Sequence, residues 1–125
     1  MTERSSYIDT ALLSDVARMF VPEFVEYRGG VFRADAFDAH VVDDWFERLA
    51  GDVRAVEDVV NHVHLFDVVT DDYDGDEAPD LWAVALLLAE AWRALLPARF
   101  PHRQFRISCE IGYGPEVSFA QATEG

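Results

Sequence analysis

The chain has 125 residues, half of them apolar, and a formal net charge of −14 at pH 7. A chain of this length fits one domain, and its apolar content suffices for a core, which excludes a disordered acidic tail. The single cysteine excludes an internal disulfide, and the longest apolar run, residues 81–89, is too short to span a bilayer. Because no signal peptide is evident near the N-terminus, we expect a cytoplasmic protein.

The negative charge is concentrated in the middle of the sequence. Residues 35–80 contain 15 acidic residues and two arginines, whereas the segments before and after are close to neutral. Such a field repels the phosphates of nucleic acids and of anionic membrane surfaces, so we expect neither as a partner. It attracts a basic protein surface instead.

A glycine pair near the N-terminus indicates a β-hairpin. Gly29 and Gly30 both tolerate the positive φ that a tight two-residue turn requires, so we expect them to form that turn. Residues suited to strands stand on either side of the pair. This register predicts two cross-strand pairs, Tyr27 with Phe32 and Glu26 with Arg33.

Four segments predict helices, because their apolar residues recur every three or four positions. They cover residues 7–20, residues 35–50 with Asp35 as the N-cap, a segment that begins at Asp52, and residues 79–96, which Pro97 ends. The third helix has one apolar stripe, which consists of Val56, Val59, Val60, Val63 and Phe66. The last helix is apolar nearly all round, so we expect it in the centre of the core or in a subunit interface.

The C-terminal segment predicts a second hairpin. Apolar residues at positions 105, 107, 109 and 111 alternate with polar ones, as in a strand with one buried face, and a glycine-rich turn follows. This pattern predicts that Cys109 is buried. The order α-ββ-ααα-ββ indicates a single α+β domain over residues 1–125, with two antiparallel hairpins, in one sheet or in two, covered by helices.

His62 and His64 form the strongest candidate for a metal site. On a strand the two side chains would share a face, but the helical stripe predicts that they diverge by about 200°. We therefore expect no bound metal and no cofactor. The alternative is a metal-binding protein or metal-dependent enzyme that uses His62, His64 and Asp67.

Other chemistry is weakly indicated. Residues 70–81 match a calcium-binding loop only in part, because Thr70 and Leu81 stand at its two anchor positions. A thiol on the apolar side of a strand, such as Cys109, is typically unreactive. The chain contains no nucleophile elbow, phosphate loop or dinucleotide fingerprint. We therefore expect no catalytic residues, and a non-enzyme is favoured.

The leading interpretation is a protein-binding module that docks a basic partner through the acidic surface of residues 35–80. Its most specific form is an inhibitor or immunity protein that covers a basic site. A further interpretation is an accessory subunit, or a homo-oligomer, that pairs through the apolar helix 79–96. The predicted docking residues are Asp71, Asp72, Tyr73, Asp74, Asp76 and Glu77, reinforced by Asp43, Asp44 and Glu47.

Overall fold

The computed structural model describes residues 10–65, 78–112 and 114–122. A short 3-10 turn, Ala34–Ala36, lies between the first hairpin and the second helix. The α+β class and the order of elements agree with the prediction, apart from one additional short strand, β3. The elements are α1 (Thr10–Phe20), β1 (Phe24–Tyr27), β2 (Gly30–Arg33), α2 (Ala39–Arg48), α3 (Val53–Val60), β3 (Val63–His64), α4 (Ala78–Arg99), β4 (Phe105–Gly112) and β5 (Gly114–Gln121).

The described strands form two antiparallel sheets. β1 and β2 form a two-stranded hairpin, whereas β3, β5 and β4 form a three-stranded sheet with β5 in the centre. One core cluster joins α4 to the three-stranded sheet, with Trp92 and Phe119 fully buried in it. A second cluster lies between β2, α2 and α3 and consists of Phe32, Val42, Phe46 and Val56.

The turn of the first hairpin lies one residue earlier than predicted. Arg28 and Gly29 have φ angles of 53° and 84°, the positive values that match the twist of hairpin strands. Gly30 belongs to β2, where a Cβ atom would stand 2.7 Å from the Cζ atom of Phe32, so glycine is required there for space. A one-residue shift exchanges every cross-strand partner. The predicted pairs are therefore wrong, and the observed ones include Val25 with Phe32 and Glu26 with Val31.

The helix ends depart from the predictions in two places. Asp38, not Asp35, caps α2, since its carboxylate accepts two backbone N–H groups of the first turn. Asp35 instead forms an ion pair with Arg33 at 2.9 Å. Asp52 caps α3 as predicted. Pro97, expected to end α4, lies inside its last turn, where it removes only one backbone hydrogen bond.

The third helix ends at Val60, much earlier than its apolar stripe predicts. Asn61 follows it, and the buried side chain of Asn61 accepts the backbone N–H of Arg33 at 2.9 Å and donates to the carbonyl of Val31 at 3.0 Å. These bonds fix the chain where it leaves the helix. Val63 then reaches the core from a strand, not from a helix.

The central helix of the fold is α4. By length and composition alone its segment Leu81–Arg99 could cross a membrane, which is weak evidence because a core helix passes the same test. Residues along α4 are buried against the sheet, Leu88 and Trp92 completely. The predicted core position is therefore observed, while Leu86 and Leu87 remain 46% and 58% exposed.

Candidate functional site

Most of the described acidic residues of the 35–80 segment form hydrogen bonds or ion pairs within the fold. Asp43 accepts hydrogen bonds from the hydroxyl of Tyr27 at 2.8 Å and from the guanidinium of Arg28 at 3.0 Å. The Tyr27 bond, followed by the Arg28 bond, lowers the pKa of Asp43, and the same contact raises the pKa of Tyr27. Asp44 and Glu47 are exposed on α2. The candidates Asp67, Asp71, Asp72, Tyr73, Asp74, Asp76 and Glu77 lie outside the described residues.

A fully buried glutamate, Glu57 of α3, links the two sheets. Its carboxylate accepts the backbone N–H of Val31 in β2 at 2.8 Å. It also accepts the backbone N–H of Gln121 in β5 at 2.8 Å and the side-chain amide of Gln121 at 2.6 Å. Together with Asn61, which also donates to the carbonyl of Phe119, Glu57 holds α3 against both sheets. The sequence did not predict this role, because no local pattern distinguishes Glu57 from the other acidic residues of the segment.

The α3–β3 junction brings His62 and His64 together on one carboxylate, that of Glu116 in β5. Nε2 of His62 lies 2.9 Å from Oε1 of Glu116, and Nδ1 of His64 lies 3.2 Å from Oε2. The two imidazole rings stack with centroids 4.5 Å apart. Residues two apart in extended backbone share a face, so the predicted divergence of the two histidines is wrong.

These three residues offer ligand atoms that lie within 4.8 Å of one another. Imidazole nitrogens and carboxylate oxygens are zinc ligands, and bonds of about 2.0–2.2 Å place neighbouring ligand atoms roughly 3.3 Å apart. The observed separations of 2.9 and 3.2 Å between ring nitrogens and carboxylate oxygens are close to this value. The side-chain geometry therefore fits a small divalent cation.

A cavity of about 10 Å³ adjoins the histidines and is lined by His62, Ser108, Glu110, Glu116 and Ser118. This volume admits one water-sized or ion-sized guest. Glu110 of β4 lies directly opposite Glu116 in the strand register. Like charges in directly opposed positions destabilise a sheet, and a bound cation would offset that repulsion.

Of the predicted ligand set His62, His64 and Asp67, the structure brings the two histidines together and adds Glu116. Glu116 lies 54 residues from His62 in sequence, so no local pattern connects the two. The only sequence signal for Glu116 is its polar position among alternating apolar residues of the C-terminal hairpin. Sequence reasoning had no means of selecting it over the other acidic residues.

The thiol of Cys109 stands on the opposite face of the sheet from this cluster. It is only half-buried, less than predicted, and it packs against the α4 core cluster. Burial raises the pKa of this thiol, and the nearby Arg93 opposes the shift. A thiol held mostly protonated in apolar surroundings is a poor nucleophile, which agrees with the structural role expected for Cys109.

Comparison with known proteins gives no match, since no family model, curated protein or solved structure is significantly similar to the chain. The geometry of His62, His64 and Glu116 is therefore the strongest indication of function in the described part of the chain. Two imidazoles and one carboxylate in this arrangement could hold a metal ion.

Proposed function

We propose that the protein binds a divalent transition metal ion, such as zinc, through His62, His64 and Glu116. The observation that carries this proposal is the convergence of one ligand atom from each residue within 4.8 Å. Two neutral imidazoles and one carboxylate contribute a single negative charge, which a divalent cation more than balances. Imidazole ligands suit zinc, copper, iron and nickel, whereas magnesium and calcium prefer oxygen ligands.

The local fold supports binding because it holds the ligands in place before the ion arrives. Asn61 directly precedes His62, and its side chain forms hydrogen bonds with backbone groups of β2 and β5. Ser118, two residues after Glu116, donates to the carbonyl of Asp58 in α3 at 2.8 Å. Ligands on anchored strands lose little freedom when they bind, which favours affinity.

The cluster is partly open to solvent and partly enclosed by the sheet. The side chains of His62 and Glu116 are 30% and 14% exposed, so an ion can enter while the surrounding sheet excludes much of the solvent. Imidazole and carboxylate groups bind a metal in their deprotonated forms. Affinity should therefore fall as the solution is acidified, because protons compete with the metal for the same atoms.

The test is a zinc titration of the metal-stripped protein, with a chromophoric chelator as competitor. We expect one zinc ion per chain. His64→Ala should weaken binding by at least about 100-fold, since loss of a group that only orients a ligand already costs about 10–100-fold. His102→Ala is the matched control, because His102 is exposed and lies outside the cluster. Equal affinity of wild type and His64→Ala, or no binding by wild type, would remove the proposal.

A second candidate function is docking of a basic protein, as an inhibitor or immunity protein would do. It is supported by the charge concentrated in residues 35–80 and by the exposure of Asp44 and Glu47 on α2. Opposite charge accelerates association. Proteins that co-purify with the chain from its host can supply the partner, and Asp44→Asn with Glu47→Gln should then slow association at low salt. An unchanged association rate would exclude α2 from the interface.

A further inference from the structure

Building on the metal site proposed above, we infer that Glu110 of β4 is its fourth ligand. The ion would then be enclosed by groups from all three strands of the sheet. Zinc sites with four protein ligands are structural, whereas catalytic sites keep one position open. The ion would therefore have a structural role and would hold the edge strand β3 to the rest of the sheet.

The strand register places Glu110 in line with two of the other ligands. His64 pairs with Glu116 across β3 and β5, and Glu116 pairs with Glu110 across β5 and β4. The three residues thus form one row across the sheet. Neighbouring strands are about 4.8 Å apart, so side chains from the two outer strands can meet above the central one.

The faces of β4 assign Glu110 to the same side as this cluster. Ile107 and Cys109 pack against the α4 core, and alternation directs Ser108 and Glu110 to the other face. Both of these residues line the cavity beside His62 and Glu116. Glu110 itself is exposed, so packing does not fix its side chain in one orientation.

The charges at this row favour a cation. Glu110 and Glu116 are directly opposed on neighbouring strands, an arrangement that destabilises a sheet when both carry charge. Within residues 10–65, 78–112 and 114–122, Glu110 forms no ion pair with an arginine or histidine. A divalent ion between the two carboxylates would replace this repulsion with two attractive contacts.

The size of the cavity argues against an open catalytic site. The cavity of about 10 Å³ between these described residues can hold one ion and is too small to enclose a substrate. β3 has only two residues and, in the described part of the chain, pairs only with β5. An ion bound to His64, Glu116 and Glu110 would join this short strand to both of the others.

The test uses cobalt(II) as a spectroscopic substitute for zinc, together with zinc competition titrations. We expect the wild type to bind one cobalt ion with the intense visible absorption of a four-coordinate site. Glu110→Gln should weaken zinc binding by about 10–100-fold and reduce that absorption. The metal-free Glu110→Gln protein should be at least as stable as metal-free wild type, because the repulsion is removed. Glu90→Gln is the matched control, since Glu90 is exposed on α4, across the sheet.

A second variant separates ligation from long-range charge. Glu110→Asp keeps the negative charge but shortens the side chain, so direct ligation predicts weaker binding and an altered spectrum. Wild-type affinity and spectrum in Glu110→Asp or in Glu110→Gln would overturn the inference while leaving the three-residue site intact. Failure of the wild type to bind zinc or cobalt would instead overturn the proposed function itself, and the role of Glu110 with it.

Discussion

Two polar clusters associated with α3 differ in how their groups find partners. Glu57 and Asn61 are fully buried, and most of their hydrogen bonds go to backbone groups of β2 and β5. His62 and Glu116, which belong with His64 to the second cluster, are partly exposed and contact each other through their side chains. The hydrogen bonds of the first cluster join elements of the fold, whereas the side chains of the second cluster lie beside a cavity.

Burial and the type of hydrogen-bond partner therefore distinguish structural polar groups from candidate metal ligands. A buried carboxylate that accepts backbone N–H groups holds elements in register, and its atoms are not available to a ligand. Partly exposed side chains that converge can exchange their mutual contacts for a metal. The two clusters are linked through the chain, because Asn61 directly precedes His62.

The largest effect is expected from Glu57→Ala. The backbone N–H groups of Val31 and Gln121 lose their acceptor, and each buried unsatisfied group costs about 1–3 kcal/mol. The free energy of unfolding should fall by about 3 kcal/mol or more, as measured by urea denaturation. Glu47→Ala, an exposed glutamate on α2, serves as the control and should change it by less than about 0.5 kcal/mol. A loss below about 1 kcal/mol for Glu57→Ala would contradict the structural role.

Zinc should stabilise the wild type by an amount set by its affinity. At a free concentration 100 times Kd the free energy of unfolding should rise by about 2.7 kcal/mol, provided that the unfolded chain does not bind. A chelator should reverse the change, and His62→Ala should abolish it. Equal stabilisation of His62→Ala would place zinc elsewhere on the protein. Thermal or urea unfolding with and without zinc provides the measurement.

Asn61→Ala tests the connection between the two clusters. Loss of its bonds to Val31, Arg33 and Phe119 should destabilise the metal-free protein by about 2 kcal/mol. Zinc affinity should also fall, by roughly tenfold, because the chain leading to His62 loses its anchor. Asp58→Asn, at an exposed neighbouring position, should leave both quantities unchanged. Full zinc affinity in Asn61→Ala would show that the histidines are positioned without this anchor.

The smallest effect is expected at the part-buried contact between Asp43 and Tyr27. The Tyr27 hydrogen bond, more than the Arg28 bond, lowers the pKa of Asp43 in the folded protein. A lowered carboxyl pKa contributes stability above the unfolded pKa, and this contribution is lost as the pH falls through the folded pKa. Asp43→Asn should therefore be slightly less stable than wild type at neutral pH and equal to it in acid.

An NMR titration of the Asp43 carboxyl provides the direct measurement of this contact. Tyr27→Phe removes the hydroxyl that is the main cause of the shift, so the pKa of Asp43 should return toward its ordinary value. An unchanged pKa in Tyr27→Phe would show that Arg28 dominates instead.

Local patterns in the sequence were sufficient to predict most of the fold. Helical periodicity located the four helices, Asp52 was identified as the cap of α3, and the alternation around Cys109 predicted the C-terminal hairpin. These features depend on contacts between near neighbours in sequence, which composition and spacing record directly. The same reasoning named His62 and His64 only as part of an alternative metal site, because it predicted that their side chains diverge.

The end of α3 and the contact of Glu116 with the two histidines depend on parts of the chain that are distant in sequence. The hydrogen-bond partners of Asn61 lie 28, 30 and 58 residues away, and Glu116 lies 54 residues from His62. The valine stripe continues the helical pattern past Val60, so no nearby signal shows that the helix stops. Strand register and buried hydrogen bonds end the helix and turn both histidines to one face, because these interactions form only when distant segments pack together.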